Sequence, residues 1–141
     1  FPHQLPAACE LGKLLPNQPF VLDHMAKPVI EHHNISNWKR DFDALAQHEN
    51  VVCKLSGLVT EANWNVWHQR DFTPYLDAAL DAFGPSRLLY GSDWPVCLLS
   101  AEYAEVLCIA NSLIDRVSLH EAKAIRGTNA AQFYGLQAEQ P

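Results

Sequence analysis

Three short apolar runs divide the chain. Phe20-Val21-Leu22, Val51-Val52-Cys53 and Arg87-Leu88-Leu89-Tyr90 are rich in strand formers. They give way to Asp23-His24, Ser56-Gly57 and Gly91-Ser92-Asp93. The run ends at His24, Gly57 and Asp93 lie 33 and 36 residues apart. That is the spacing of strand–helix–strand units, whose crossovers make neighbouring strands parallel.

Between the runs the apolar period becomes helical. Trp38, Phe42, Leu45 and Ala46 form one stripe and predict a helix over 36–47. Thr73-Pro74 reads as a cap followed by a first-turn proline, with Leu76, Ala79, Leu80 and Phe83 as the buried face and Gly84-Pro85 as the stop. Ser100 is expected to open the next helix, with Tyr103, Val106, Leu107, Ala110 and Leu113 inward. Ser118 and Glu121 form a capping-box pattern for a short helix ending near Gly127. Thr128 then caps a last helix that carries Phe133 and Tyr134 inward. Residues 6–15 predict a helix at the front, and Phe1-Pro2-His3 the end of a preceding strand. Residues 1–136 read as one domain and 137–141 as a tail.

Composition narrows the class. With 141 residues, 48% apolar and 18% charged, the chain is long enough for one domain with a real core. A net charge of −6, with no basic cluster longer than Lys39-Arg40, argues against a nucleic-acid groove or an anionic membrane surface. No apolar run approaches the roughly 18 residues of a membrane span, and the first residues lack a signal-peptide pattern. Cys9, Cys53, Cys97 and Cys108 show no CxxC spacing and sit in apolar settings, so they read as reduced thiols in a cytoplasmic protein. The chain begins at Phe1 and its one methionine is Met25, which predicts a piece of a longer protein.

In parallel α/β architectures chemistry gathers where strands end. Those positions here carry His3, His24, Lys54, Ser56 and Asp93. Asp93 lies between Gly91 and Trp94-Pro95, a stiff exit that holds a carboxylate; a turn or cap role explains it equally simply. His24 reads either as a site residue or as a hydrogen-bonded structural one. Strand alternation sends Asp23 to the opposite side, as a structural acceptor. Lys54 interrupts an apolar strand and must meet an anion or snorkel out. Trp64 and Trp67, in a long loop, suit either stacking on a sugar or packing on helices. His32-His33 read as solvated loop. No GxSxG elbow, P-loop, GxGxxG or HExxH is present.

Four segments in this order carry a resemblance: Phe20–Pro28 (FVLDHMAKP), Asn50–Leu58 (NVVCKLSGL), Arg87–Cys97 (RLLYGSDWPVC) and Asn129–Tyr134 (NAAQFY). Together they resemble the amidohydrolase-related family, in its lactonase branch of L-fuconolactone, L-rhamnonolactone and 2-pyrone-4,6-dicarboxylate hydrolases. The resemblance implies a TIM-type (β/α)₈ barrel of which only about strands five to eight are present, an α/β half barrel. It further implies hydrolysis of a sugar or carboxylated lactone. Asp93 and His24 would be catalytic, with Asp93 activating water. His3, Lys54, Ser56, Trp64 and Trp94 would face substrate. His24 and Asp93 are the candidate ligands of one divalent metal such as zinc, although members of the family differ in metal use. The family's His-x-His pair is not in this sequence. A metal-dependent decarboxylase and an inactive scaffold are the alternatives. The partner implied is a small lactone, and a homo-oligomer is a candidate state.

Overall fold

The structure, a computed structural model, describes residues 1–64 and 66–136. The tail expected at 137–141 lies outside these residues.

Each apolar run forms a strand. β1 (Phe20–Leu22), β2 (Val51–Leu55) and β3 (Leu88–Tyr90) make one parallel sheet in the order β1-β2-β3. The register pairs Phe20 with Val51 and Cys53 with Leu88. Among the described residues six α-helices accompany them: α1 (Leu5–Leu14), α2 (Ser36–Ala46), α3 (Gln69–Phe83), α4 (Tyr103–Ile114), α5 (Leu119–Lys123) and α6 (Asn129–Tyr134). Successive helices from α1 to α4 pack against each other, and α2 and α3 pack on the sheet. Trp38, Phe42, Leu45 and Ala46 are all buried, as their stripe predicts. Phe42 stacks on Trp38 at 4.4 Å and meets the Phe83 ring edge-on at 5.1 Å, tying α2 to α3. Along β2, Val51, Cys53 and Leu55 are buried while Val52 and Lys54 are half-buried, so the strand's second face is only partly covered.

Several helix boundaries differ from the sequence expectation, each for a local reason. α3 begins at Gln69, not beside Pro74, because the His68 N–H donates to Asp71 Oδ2 at 2.8 Å and closes the first turn there. Pro74 then sits inside the helix on an exposed side, where water can take the carbonyl that its missing N–H leaves free. α4 starts at Tyr103, since the Glu102 N–H donates to Glu105 Oε2 at 2.8 Å. Tyr103 is exposed, and Ile109 and Ile114 join the buried face instead. The Ser118–Glu121 capping box forms as expected, but no break follows at Gly127. A π-turn over Ala124–Thr128 carries the chain directly into α6. The Asn129 side chain donates to the Pro85 and Leu88 carbonyls, both at 2.8 Å, and pins α6 to β3. Tyr134 is exposed rather than inward.

The expected strand end at 1–3 is a 3₁₀ turn over Pro2–Gln4. Pro2 cannot donate to a sheet, and the Phe1 ammonium closes the turn on Gln4 Oε1 at 2.8 Å. All four thiols are free. Cys53 and Cys97 are buried, Cys9 is half-buried, and Cys108 is exposed on α4, not in the apolar setting expected. Among the described residues no helix is long and apolar enough to cross a membrane.

Candidate functional site

The first strand does not simply run out into solvent. From His24 to Lys27 the backbone turns left-handed, with φ of 49°, 51°, 60° and 51°. None of these residues is glycine, so the turn costs about 1–2 kcal/mol per residue, and packing must hold it. Met25 is fully buried and its carbonyl accepts from Trp38 Nε1 at 2.9 Å. The Lys27 N–H closes the turn on the His24 carbonyl at 2.7 Å.

This turn overrides strand alternation. The Asp23 and His24 side chains come to the same mouth of the sheet, with Asp23 Oδ2 at 3.2 Å from His24 Nε2. The expectation that Asp23 points away is corrected: alternation holds only while the backbone stays extended. Asp23 also takes the Lys54 ammonium at 2.6 Å, which resolves Lys54's alternatives in favour of an anion partner. That hydrogen bond raises the Lys54 ammonium above its usual range; partial desolvation opposes it, and the Asp23 charge adds to the rise. Partial burial pushes the Asp23 carboxyl up, but the Lys54 hydrogen bond and the nearby cationic groups outweigh it and hold the carboxyl low.

His24 stands at the centre. Its Nδ1 lies 2.8 Å from Ser56 Oγ, and its Nε2 lies 3.7 Å from Asp93 Oδ1. With carboxylates on one side and a hydroxyl on the other, we assign the proton to Nε2, so that Ser56 donates to Nδ1. Ser56 is 4% exposed, the seat of the ring rather than an open surface. Gly57 makes that seat possible: its φ is +66°, and a Cβ there would sit 2.8 Å from His24 Cβ, Cγ and Nδ1. Gly91 does the same for the far wall, where a Cβ would meet Ser56 Cβ at 3.2 Å and Lys54 Cδ at 3.3 Å. Gly57→Ala is therefore expected to lower unfolding free energy by about 2 kcal/mol or more through αL strain and overlap. Gly127→Ala, which meets nothing within 4 Å, should stay near neutral in the same denaturation series. Equal midpoints for the two variants would refute the seat.

Asp93, the third residue beyond β3, also adopts a left-handed φ, 58°. Its side chain is 11% exposed, and Oδ2 is buried with no hydrogen-bond partner. A buried carboxylate oxygen with no protein partner is a candidate position for a reacting group or a ligand.

The remaining candidates divide. Trp64 is exposed, its Nε1 bonded to the Thr60 carbonyl at 2.9 Å, beside an open hollow of about 390 Å³ lined by Glu31, Thr60 and Glu61. Trp67 instead packs edge-on against Phe72 at 5.3 Å and donates to the Ser100 carbonyl. Trp94 is exposed at the β3 exit. His3 stacks on Phe1 at 6.0 Å in the opening turn and lies outside the His24 network. His32 and His33 are exposed, as expected of solvated loop. Sequence reasoning missed Asp23 and Gly57 as parts of the site. The glycine directly after Ser56 was the available signal.

Among the described residues no group of three or more His, Cys, Asp or Glu side chains is arranged to hold a metal. His24 Nε2, once it gives up its proton, and the Asp93 carboxylate would supply two ligand atoms, fewer than the three protein ligands of a catalytic zinc.

The chain as a whole is similar to known proteins. The structure superposes on an amidohydrolase from Burkholderia multivorans with zinc bound at a TM-score of 0.92 and 42% identity, covering 97% of this chain and 51% of that one. An L-fucono-1,5-lactonase of Burkholderia multivorans is 45% identical over 126 residues, 82% of this chain and 43% of its own. An L-rhamnono-gamma-lactonase of Scheffersomyces stipitis is 24% identical over 152 residues, covering 94% of this chain and 45% of its own. The chain thus spans less than half the length of these two relatives. The Amidohydrolase family profile matches residues 1–136. With that match over nearly its whole length, and with the His24–Asp93 mouth at the carboxyl ends of parallel strands, this chain belongs to the amidohydrolase family.

Proposed function

We propose that β1, β2 and β3 are barrel strands six, seven and eight of a (β/α)₈ hydrolase, and that the complete barrel opens a sugar-type lactone. The observation that carries this reading is the Asp93 carboxylate: Oδ2 buried and unpartnered, Oδ1 3.7 Å from His24 Nε2, at a strand exit. The lactonase names of the two relatives favour hydrolysis over decarboxylation.

Asp93 acts as general base. It takes a proton from water as the water oxygen bonds to the lactone carbonyl carbon. The carbonyl π pair moves onto oxygen, where the His24 Nε2–H donates to the developing oxyanion. The intermediate collapses by breaking the ring C–O bond, and the proton held by Asp93 passes to the leaving alkoxide, giving the open hydroxy acid. Lys54 and Asp23 hold the floor of the site, and Ser56 acts through the His24 ring rather than on substrate. Trp64 and Trp94 offer flat surfaces to the sugar ring, and His3 contributes from the edge of the site once the barrel is closed. A divalent metal bound near Asp93 would polarise the carbonyl, but this chain supplies only two donors, so no step here is routed through one. Four free thiols suit a reducing, cytoplasmic setting.

The test is a panel of lactones offered to the complete barrel. Opening of L-fucono-1,5-lactone or L-rhamnono-gamma-lactone, read as acid release, is expected. Turnover of carboxylic acids to carbon dioxide with no lactone opening would overturn the reading in favour of a decarboxylase.

A further inference from the structure

The left-handed turn at residues 24–27 poses a question that the proposed chemistry does not answer: what keeps it wound. Burial of Met25 and the Trp38 bond secure its middle. Its last residue, Lys27, is left-handed too, and its side chain crosses to the loop after β2. There Lys27 Nζ meets Glu61 Oε1 at 2.7 Å and Thr60 Oγ1 at 3.1 Å. The two charges are 23% and 19% exposed, well withdrawn from water. Thr60 Oγ1 also lies 3.3 Å from the carbonyl of Gly57, the residue on which the His24 ring rests. One knot therefore touches both ends of His24: the backbone turn through Lys27, and the ring seat through Thr60 and Gly57. The Trp64 indole hangs from the same knot by its bond to the Thr60 carbonyl.

We infer that the Lys27–Glu61 pair is a latch that keeps the 24–27 turn left-handed, and that Lys27 and Glu61 are positioning residues for His24. The inference rests on the functional reading above only for its kinetic arm. Without the latch, Lys27 is free to leave the left-handed region, the turn relaxes toward extended backbone, and the imidazole moves relative to Asp93. A shift of about 1 Å at a catalytic group costs as much as 10²-fold in rate. Substrate held at Trp64 would press on the same knot, so the latch also links occupancy of the loop to placement of the histidine.

Glu61→Gln in the complete barrel keeps the side chain's size and removes its charge. It is expected to lower kcat about tenfold while KM stays within about twofold. Lys27→Met cuts the other end and should give the same split, so poor folding of one variant leaves the other to read. The decisive variant adds Ala26→Gly to Glu61→Gln. Glycine adopts a left-handed φ freely, so it should restore at least half of the lost kcat if the latch works by holding the turn. A tie that merely braces the fold would not respond to that exchange. Ring-nitrogen NMR shifts of His24 provide a readout independent of turnover: a single Nε2–H pattern in the parent, a mixed pattern in Glu61→Gln, and return with Ala26→Gly. A kcat within twofold of the parent in both latch variants, or no recovery with Ala26→Gly, overturns the latch. If the parent barrel opens no lactone, the functional reading fails, yet unchanged His24 shifts in Glu61→Gln would still overturn the latch and altered ones would still support it.

Discussion

Asp93→Asn in the complete barrel is expected to lower kcat for lactone opening by about 10²-fold or more, the scale of a lost general base. The amide keeps the shape of the carboxyl, and the left-handed backbone at residue 93 tolerates asparagine well, so the fold should persist. What disappears is an acceptor for the water proton. The amide nitrogen is a donor, and placing it near the His24 Nε2–H sets two donors 3.7 Å or so apart. KM should change little, since the lost interaction belongs to the transition state rather than to substrate binding. Steady-state kinetics with circular dichroism as a folding control read the outcome. Hydrolysis near the parent rate would remove Asp93 from the mechanism and leave its buried, unpartnered oxygen as a structural oddity.

The second large effect concerns the 141-residue chain by itself. Among the described residues β1 and β3 each pair on one side only, with β2. An unpaired strand edge presents free N–H and C=O groups to any partner. The far face of β2 is half-covered at Val52 and Lys54, and Trp94, Val96, Leu98, Leu99 and Tyr103, in the segment after β3, are exposed. Closing a barrel would bury such edges; three strands cannot close one. The chain alone should therefore dimerise, aggregate or stay partly molten. It should also show no lactone hydrolysis, because the oxyanion is met by one histidine and not by a full donor set. Light scattering coupled to size-exclusion chromatography tests the first half and the lactone assay tests the second. A monodisperse, active monomer would contradict both.

The sequence by itself determined the strands and the crossovers. The runs Phe20-Val21-Leu22, Val51-Val52-Cys53 and Arg87-Leu88-Leu89-Tyr90 mark the three strands, which the structure extends to Leu55 in β2 and starts at Leu88 in β3. The Trp38–Ala46 stripe is equally decisive, since one helical face carries every large apolar residue. That His24 and Asp93 share one end follows from the same logic, because parallel strands deliver their last residues to one side of the sheet. Helix starts were less legible. Thr73-Pro74 and Ser100 look like caps, yet Asp71 and Glu105 reach back to earlier N–H groups and win by satisfying them first. Gly127 looks like a stop, but Asn129 holds β3 and keeps the chain helical through a π-turn. Only the tertiary structure decided how the site is wired. Asp23 joins Lys54 and His24 because a left-handed turn cancels the two-residue alternation, and no local propensity favours four such residues in a row. Two distant side chains meet that turn: Trp38 bonds the carbonyl of Met25, 13 residues away, and Glu61 pairs with Lys27 across 34 residues. Local pattern fixes what each segment is. Contacts between distant segments, which a one-dimensional period cannot express, fix where His24 points.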